Sequence, residues 1–394
     1  MAGIYLHIPF CRQACHYCNF HFSTTINRVN DFIPALLREM ELRMDYIGED
    51  PVDTVYFGGG TPSLLDAGML TMIMERVKAL FRLHPQAEIT LEANPDDMDS
   101  ATAGPQLAAW RSAGINRLSI GVQSFFEADL RWMNRAHNAT QAIDSIRLAQ
   151  REGFENISID LIYGGPTLPD AHWQENVGQA IDLRLPHLSC YALTVEPKTA
   201  LDKLIHMGKA TDVNPDDQAR QFLLLMDWLE KAGYVHYEIS NFSKPGKRSR
   251  HNSSYWQGTP YLGLGPSAHS FNGGSRQWNV ANNAKYIAAL GGEVPLVGAI
   301  GGEAAGLPAF VAEKEELSVI QQLNEYIMIS LRTVEGSSQS AIAKRFGSQK
   351  AEELWRRAER YMREGKIKSS PETLALTQEG KLLADGIAAD LFFN

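Results

Sequence analysis

Short runs of β-branched and aromatic residues alternate along the chain with longer stretches in which apolar positions carry a helical spacing. The short runs predict strands at Ile4–Ile8, Thr54–Phe57, Glu88–Glu92, Arg117–Val122, Ile157–Tyr163 and Leu188–Leu193. The longer stretches predict helices around Asp31–Tyr46, Leu64–Leu80, Gly104–Ser112, Thr140–Glu152 and Ala171–Ile181. Strands and helices alternating at this spacing indicate βαβ units and a parallel sheet. Right-handed crossovers then restrict the arrangement to a barrel, a partial barrel or an open doubly wound sheet.

Beyond these units the pattern changes. A helix is predicted over Pro215–Lys231 and an apolar segment over Tyr234–Ile239. The stretch Asn241–Trp278 is polar, aromatic and rich in glycine, and is long enough as a loop to be a functional candidate. Gly291–Leu307, rich in Gly, Ala and Pro, reads as a connector. From Glu315 the pattern is helical again, with a short strand at Lys366–Lys368 and a final helix over Thr377–Phe392. This part is expected to form a second, smaller, mainly helical domain similar to a winged-helix module. No internal repeat or low-complexity tract is visible.

Composition adds bounds. A chain of 394 residues has room for one large domain and one smaller one. A hydrophobic fraction of 44% and a charged fraction of 21% suit a globular protein with an ordinary core. The net charge of -9 argues against a general nucleic-acid binder, which needs a basic face. The opening MAGIYLHIPF has neither a basic stretch nor a long apolar one, so it does not read as a secretory signal. No run of about 18 apolar residues suggests a membrane span. A reducing cytoplasm is the expected location.

Of the four cysteines, three fall within eight positions, as Cys11-Arg-Gln-Ala-Cys15-His-Tyr-Cys18. A disulfide framework would be spread along a small secreted chain instead. Three thiolates on one loop, spaced C-x3-C-x2-C directly after the first strand, can hold three irons of a cubane cluster and leave the fourth iron open. The alternative is a zinc site completed by His16 or His21, although zinc sites usually bring two paired ligand sets and no second set is visible. Cys190, about 170 positions on, reads as a buried small hydrophobe.

Tyr5-Leu-His-Ile-Pro-Phe-Cys11 followed by this loop resembles the radical-SAM proteins of the HemN/HemW family. The resemblance extends over essentially the whole chain, to Leu376-Thr377-Gln378-Glu379-Gly380. It implies an α/β fold, a partial (β/α)6 TIM-type barrel with a smaller, mainly helical C-terminal domain. The boundaries expected are 1–240 for the barrel, 241–310 for a heme-motif loop region and connector, and 311–394 for the winged-helix-like domain. It also implies a 4Fe-4S cluster on Cys11, Cys15 and Cys18, whose open iron binds S-adenosylmethionine (SAM). One-electron reduction then splits the sulfonium.

Other residues fall into this frame. Gly58-Gly59-Gly60-Thr61 follows the second strand, where glycines let a backbone approach a ligand closely. Glu92, Gln123, Arg135 and Asp160 stand near successive strand ends, the face on which barrels build sites. A charge inside an apolar strand, such as Asp160, is costly unless paired, so an Arg135–Asp160 structural ion pair is the plain alternative. By resemblance, Tyr5, Tyr17, Gly59, Gly60, Thr61, Glu92, Gln123, Arg135, Asp160 and Ala192 match SAM-contacting positions.

Within the family, two chemistries compete. One branch is the oxygen-independent coproporphyrinogen III dehydrogenase, the other the HemW-type heme chaperone. Asn19-Phe20 follows the cysteine loop where the dehydrogenase pattern has a further cysteine, and Cys11 stands close to the start. His251-Asn252-Ser253-Ser254-Tyr255-Trp256 matches the H-N-x-x-Y-W motif linked to heme binding in the chaperones. Imidazole is a common axial ligand, and Tyr255 and Trp256 offer flat area for a porphyrin. Lys244, Lys247, Arg248 and Arg250 could meet its propionates. The expected cofactors are therefore the 4Fe-4S cluster, SAM and heme. The expected partners are heme, heme-accepting proteins and an electron donor, without nucleic acid. Peripheral membrane association and the choice of monomer or dimer stay open. A nucleic-acid-binding regulator built on the C-terminal module is the remaining alternative, with Lys344, Arg345, Lys366 and Lys368 too sparse among acids to favour it.

Overall fold

The computed structural model describes residues 1–98, 103–291 and 308–394. In chain order the strands are β1 (Ala2–Ile8), β2 (Val52–Gly59), β3 (Leu83–Ala93), β4 (Arg117–Gln123), β5 (Ile157–Tyr163), β6 (His187–Ala192), β7 (Val235–Glu238) and β8 (Asn241–Ser243). They continue as β9 (Tyr261–Leu264), β10 (His269–Phe271), β11 (Ser275–Asn279), β12 (Val311–Glu316), β13 (Ser337–Ser338), β14 (Ile367–Ser369) and β15 (Thr373–Leu376). Two compact units form: residues 1–161, 194–212 and 259–315, and residues 162–193, 213–258 and 316–394.

In the first unit the strand order is β12-β11-β10-β9-β1-β2-β3-β4-β5. Pairing is parallel from β9 through β1 to β5, and antiparallel between β9, β10 and β11. Among the described residues β12 stands at an edge of the sheet, which is not a closed barrel.

The alternation along these strands explains how they pack. Ile4, Leu6 and Ile8, Val55 and Phe57, Leu91 and Ala93, Leu118, Ile120 and Val122, and Ile157 and Ile159 are all buried. They share one face, because successive side chains on a strand point to opposite sides. Helices Val29–Leu42, Ala67–Leu80, Gly104–Ala113 and Ala139–Arg151 bury their own apolar residues, among them Leu36, Ile73, Leu107 and Ile146. Burying one such Leu, Ile or Phe contributes about 1.5–3 kcal/mol. Tyr5 and His7, Tyr56, Thr90 and Glu92, Ser119 and Gly121, and Ser158 and Asp160 alternate with the apolar set and take the inner face. Local signals start the helices: Asp66 accepts from Met69 N at 2.8 Å, and Asn138 with Gln141 forms a capping box.

In the second unit β6, β8 and β7 form an antiparallel set, with helices Asp170–Asp182 and Pro215–Lys231 in the same unit. Toward the C-terminus, helices Val319–Leu331, Gln339–Phe346 and Ser348–Arg363 accompany the small antiparallel sheet β13-β15-β14. Leu323, Ile327 and Leu331, spaced one helical turn apart, share a core with Leu354, Ala358, Ile367 and Leu374. Two short helices, Gln378–Lys381 and Ala384–Asp390, follow the sheet.

Two expectations change. Asn241–Trp278 is not a long loop: it holds helix Arg250–Trp256 and strands β8 to β11. Its hairpin turn is an Asx turn in which the Asn272 side chain accepts from Gly274 N and Ser275 N. The segment beginning near Glu315 first completes β12, and the helix starts only after Ser318, which forms a capping box with Gln321. The connector expected at Gly291–Leu307 lies outside the described residues except for Gly291.

Candidate functional site

β1 ends at Ile8, and the chain enters the loop of Cys11, Cys15 and Cys18. Ser23 N donates to Pro9 O at 2.9 Å and Cys11 N to Ser23 O at 3.0 Å, which pins the loop's two ends together. A second group of bonds fastens it to the segment after β4. His16 N donates to Met133 O at 3.1 Å, and His16 Nδ1 lies 2.9 Å from Trp132 O. Gln13 Nε2 donates to Asn134 O at 2.9 Å, while Asn134 Nδ2 donates to Ala14 O at 2.7 Å.

Both histidines of the zinc alternative are engaged elsewhere, since His21 Nε2 lies 2.7 Å from Asn283 Oδ1. Among the described residues no three His, Cys, Asp or Glu side chains converge on a single-ion site. A cubane makes a different demand, because each thiolate meets its own iron. The three thiols are free and half-buried, and Cys190 is buried in β6 of the second unit.

Donors surround the thiols. Thr61 Oγ1 donates to Cys11 Sγ at 3.5 Å, and Arg135 Nη1 donates to Cys15 Sγ at 3.2 Å. Asn94 joins the two: its Nδ2 donates to Thr61 Oγ1 at 3.2 Å, and its Oδ1 accepts from Arg135 Nη2 at 2.7 Å. Arg135 Nη2 also donates to Gly121 O at 2.7 Å. Burial pushes the Cys11 thiol up to about 11 and raises that of Cys18, while Arg135 lowers both. Arg135 Nε is buried and has no hydrogen-bond partner among the described residues. Three loop thiols with a fixed guanidinium beside them suit a cluster of thiolates, and the orphaned Nε suits a further acceptor.

The glycine run has its own structural reason. Gly60 N donates to Ile8 O at 2.8 Å and Thr61 N to Phe10 O at 2.7 Å, so the run lies against the end of β1. A Cβ at Gly60 would sit 2.5 Å from Phe10 O. Gly59 N donates to Glu92 Oε2 at 3.1 Å, and the Tyr56 hydroxyl donates to Oε1 at 2.8 Å. Burial, with the charge of Asp160 adding to it, pushes Glu92 up to about 7 against these two bonds. Tyr5 stacks on Tyr56 with ring centres 6.2 Å apart, and its hydroxyl lies 3.1 Å from His7 Nδ1. Burial lowers His7 to about 4, which keeps the ring neutral near pH 7. Tyr5 and Tyr17 phenols are raised, chiefly by burial. Gln123 is buried and holds φ at 69°, a left-handed conformation that a non-glycine residue adopts only under local constraint.

Cys11, Cys15, Cys18, Tyr5, Tyr17, Gly59, Gly60, Thr61, Glu92, Gln123, Arg135 and Asp160 all belong to the first unit. Ala192 belongs to the second, exposed at the end of β6. Asn94, His7 and Tyr56 were not singled out in the sequence, although His7 and Tyr56 alternate with the apolar strand positions and Asn94 directly follows β3.

In the second unit, His251 lies on helix Arg250–Trp256, capped by Ser249, which accepts from Asn252 N at 3.2 Å. His251 is 1% exposed, and its Nε2 lies 2.9 Å from the Tyr255 hydroxyl. The Arg332 guanidinium sits over Trp256, 5.4 Å from the ring centre. Of the cations expected for propionates, Lys244 donates to Ala232 O, and Arg248 pairs with Glu335 at 2.6 Å.

Comparison with known proteins places this geometry. The model of the Radical SAM superfamily matches residues 5–179, and that of the HemN C-terminal domain matches 317–383. The chain is 32% identical over 390 residues to the heme chaperone HemW of Bacillus subtilis, covering 98% of each chain. It is 34% identical over 393 residues to that of Mycobacterium tuberculosis, covering 99% of this chain and 94% of the relative. With the Escherichia coli HemW it shares 37% over 274 residues, 68% of this chain and 69% of the relative. Among solved structures, the E. coli coproporphyrinogen III oxidase HemN superposes with a TM-score of 0.81 over 99% of this chain and 90% of that one. At 21% identity, that likeness concerns the fold.

Proposed function

The chain belongs to the HemW family of radical-SAM proteins, and from that premise we propose that it is a heme chaperone, binding heme and handing it to heme proteins. The observation that carries the reading is the pairing of two features in one chain: an intact cysteine loop continuing into Phe20, 69% exposed, and the His251–Trp256 motif helix. Cys11, Cys15 and Cys18 hold the 4Fe-4S cluster in this reading. Tyr5, Tyr17, Gly59, Gly60, Thr61, Glu92, Gln123, Arg135 and Asp160 line the SAM pocket. The bound cluster supplies one-electron chemistry at its open iron.

The protein's own contributions are binding and orientation. Arg135 and Thr61 donate to thiolate sulfurs and offset their negative charge. Glu92, near neutrality in its proton affinity, presents either an acceptor or a donor to a ligand at the glycine run. His251 would hold the heme iron once its ring leaves Tyr255, and Tyr255 and Trp256 would supply apolar contact. Heme-accepting proteins and an electron donor are the partners, and the cytoplasm is the location. No helix among the described residues is long and apolar enough to cross a membrane.

The deciding experiment loads the anaerobically reconstituted protein with hemin and mixes it with an apo heme protein. Transfer of the Soret band to the acceptor supports the chaperone, and its failure from a saturably loaded protein overturns it. A second reading, coproporphyrinogen III dehydrogenase, is favoured by the retained Glu92, Gln123, Arg135 and Asp160. Many turnovers of coproporphyrinogen III with SAM and a reductant would put it first.

A further inference from the structure

The inner face of the sheet does not end at β1. Tyr5 pairs with Gly263 in the parallel β1–β9 register, so Gly263 and Tyr261 take the side on which Tyr5 lies. Phe271 on β10 opposes Tyr261, and His269 lies two residues away on the same side. On β11, Trp278 opposes His269 and Arg276 opposes Phe271. Ser270 points the other way, into the buried core, where it accepts from Arg43 Nη2 at 2.9 Å. One face therefore carries three aromatic rings, one imidazole and one guanidinium.

The imidazole is presented rather than packed away. His269 is exposed, and among the described residues its ring carries no hydrogen bond. It lies nearly parallel to Trp278, at 25° with ring centres 5.6 Å apart. Tyr261 and Phe271 pair beside it at 6.4 Å. The backbone beneath is rigid: a Cβ at Gly263 would lie 1.9 Å from His269 O, and Asn279 N holds Ala268 O at 2.9 Å. His251 contrasts on each count, being buried and bonded at Nε2 to Tyr255.

We propose that this face of β9, β10 and β11 is a second heme-binding surface, with His269 as the iron ligand. It rests on the chaperone reading and adds a site to it. Phe271 supplies apolar area for the macrocycle, and Trp278, nearly parallel to the imidazole, packs against that ring and fixes its orientation. Arg276, across from Phe271, supplies a charge-assisted donor for a propionate. Partial burial of the ring against the sheet, and after it the neighbouring Arg276, lowers the proton affinity of His269, which favours the neutral ring that binds iron.

The test is a hemin titration of the full-length, cluster-bearing protein, followed in the Soret region, with His269→Ala, Trp278→Leu and His251→Ala alongside. Wild type should take up two equivalents. His269→Ala should lose one equivalent with its spectral component, and Trp278→Leu should weaken the same step tenfold or more. His269→Met, which keeps an iron ligand, should retain that step with a changed spectrum. Iron–sulfur content and far-UV circular dichroism guard against misfolding. If His269→Ala keeps the wild-type stoichiometry and affinity while His251→Ala loses binding, the second surface is overturned and the chaperone reading stands. If wild type binds no hemin saturably, the chaperone reading fails and this inference with it.

Discussion

Arg135 Nη2 donates to Asn94 Oδ1 at 2.7 Å, and through that bond the guanidinium over Cys15 is tied to the hydroxyl on Cys11. The chain Cys11–Thr61–Asn94–Arg135–Cys15 links β2, β3 and the segment after β4 to two of the three thiols. Asn94 touches neither sulfur, so it acts as a positioning residue. Asn94→Ala should leave the cluster assembled, because all three cysteines remain. Its reduction potential should fall, because a donor to Cys15 is less firmly held and sulfur-directed donors favour the reduced, more negative cluster. An EPR-monitored redox titration reads this, and an unchanged potential in Asn94→Ala would dismiss the positioning role.

The cysteines themselves separate by role. Alanine at Cys11, Cys15 or Cys18 should abolish the cluster, measured as iron and labile sulfide after anaerobic reconstitution. Cys190→Ala should keep it and cost about 1–2 kcal/mol of stability, since it removes a buried sulfur and leaves a small cavity. Full cluster content in Cys15→Ala would refute the assignment.

Much of the first unit was legible in the sequence, for a physical reason. Strands such as Ile4–Ile8 and Ile157–Leu161 alternate, and both their existence and their inward residues follow from period two. Asn241–Trp278 was misread because β8, β9 and β10 are each only three or four residues long, too short for any periodicity to register. Their positions come from pairing with neighbours already in place. The turn Asn272-Gly273-Gly274 was the available hairpin signal. The burial of His251 was not legible, since a helix of seven residues shows too little of a face to say which side is covered. Asn94 escaped notice because its role is a link between two other side chains.

Glu92 gives a pH prediction with a definite sign. Its folded-state proton affinity is raised from 4.5 to about 7, chiefly by burial. The folded protein therefore keeps a proton that the unfolded chain gives up. Stability from this group is complete below about pH 4.5, declines as pH rises, and is lost above about pH 7. Glu92→Gln removes the titration, so the difference in Tm between wild type and variant should change from pH 5 to pH 8 in favour of the variant. A difference constant across that range would show that Glu92 ionises normally.

The last prediction concerns the motif helix. Tyr255 Oη and His251 Nε2 are 2.9 Å apart, so the nitrogen that would meet iron is held by a neighbouring hydroxyl. Heme binding at His251 must break that bond, whose net worth is about 1 kcal/mol. Tyr255→Phe keeps the ring that would face the macrocycle and removes the competing hydroxyl. It should therefore tighten the His251-dependent step, by roughly fivefold for a competitor of that size. His251→Ala should remove the corresponding Soret shift and weaken binding, while residual porphyrin association through apolar contact persists. The double variant should behave like His251→Ala alone, because releasing an imidazole matters only when one is present. A Tyr255→Phe protein that binds more weakly than wild type would mean that the hydroxyl supports the bound state, and that the 2.9 Å contact is part of the heme site and not a latch on its ligand.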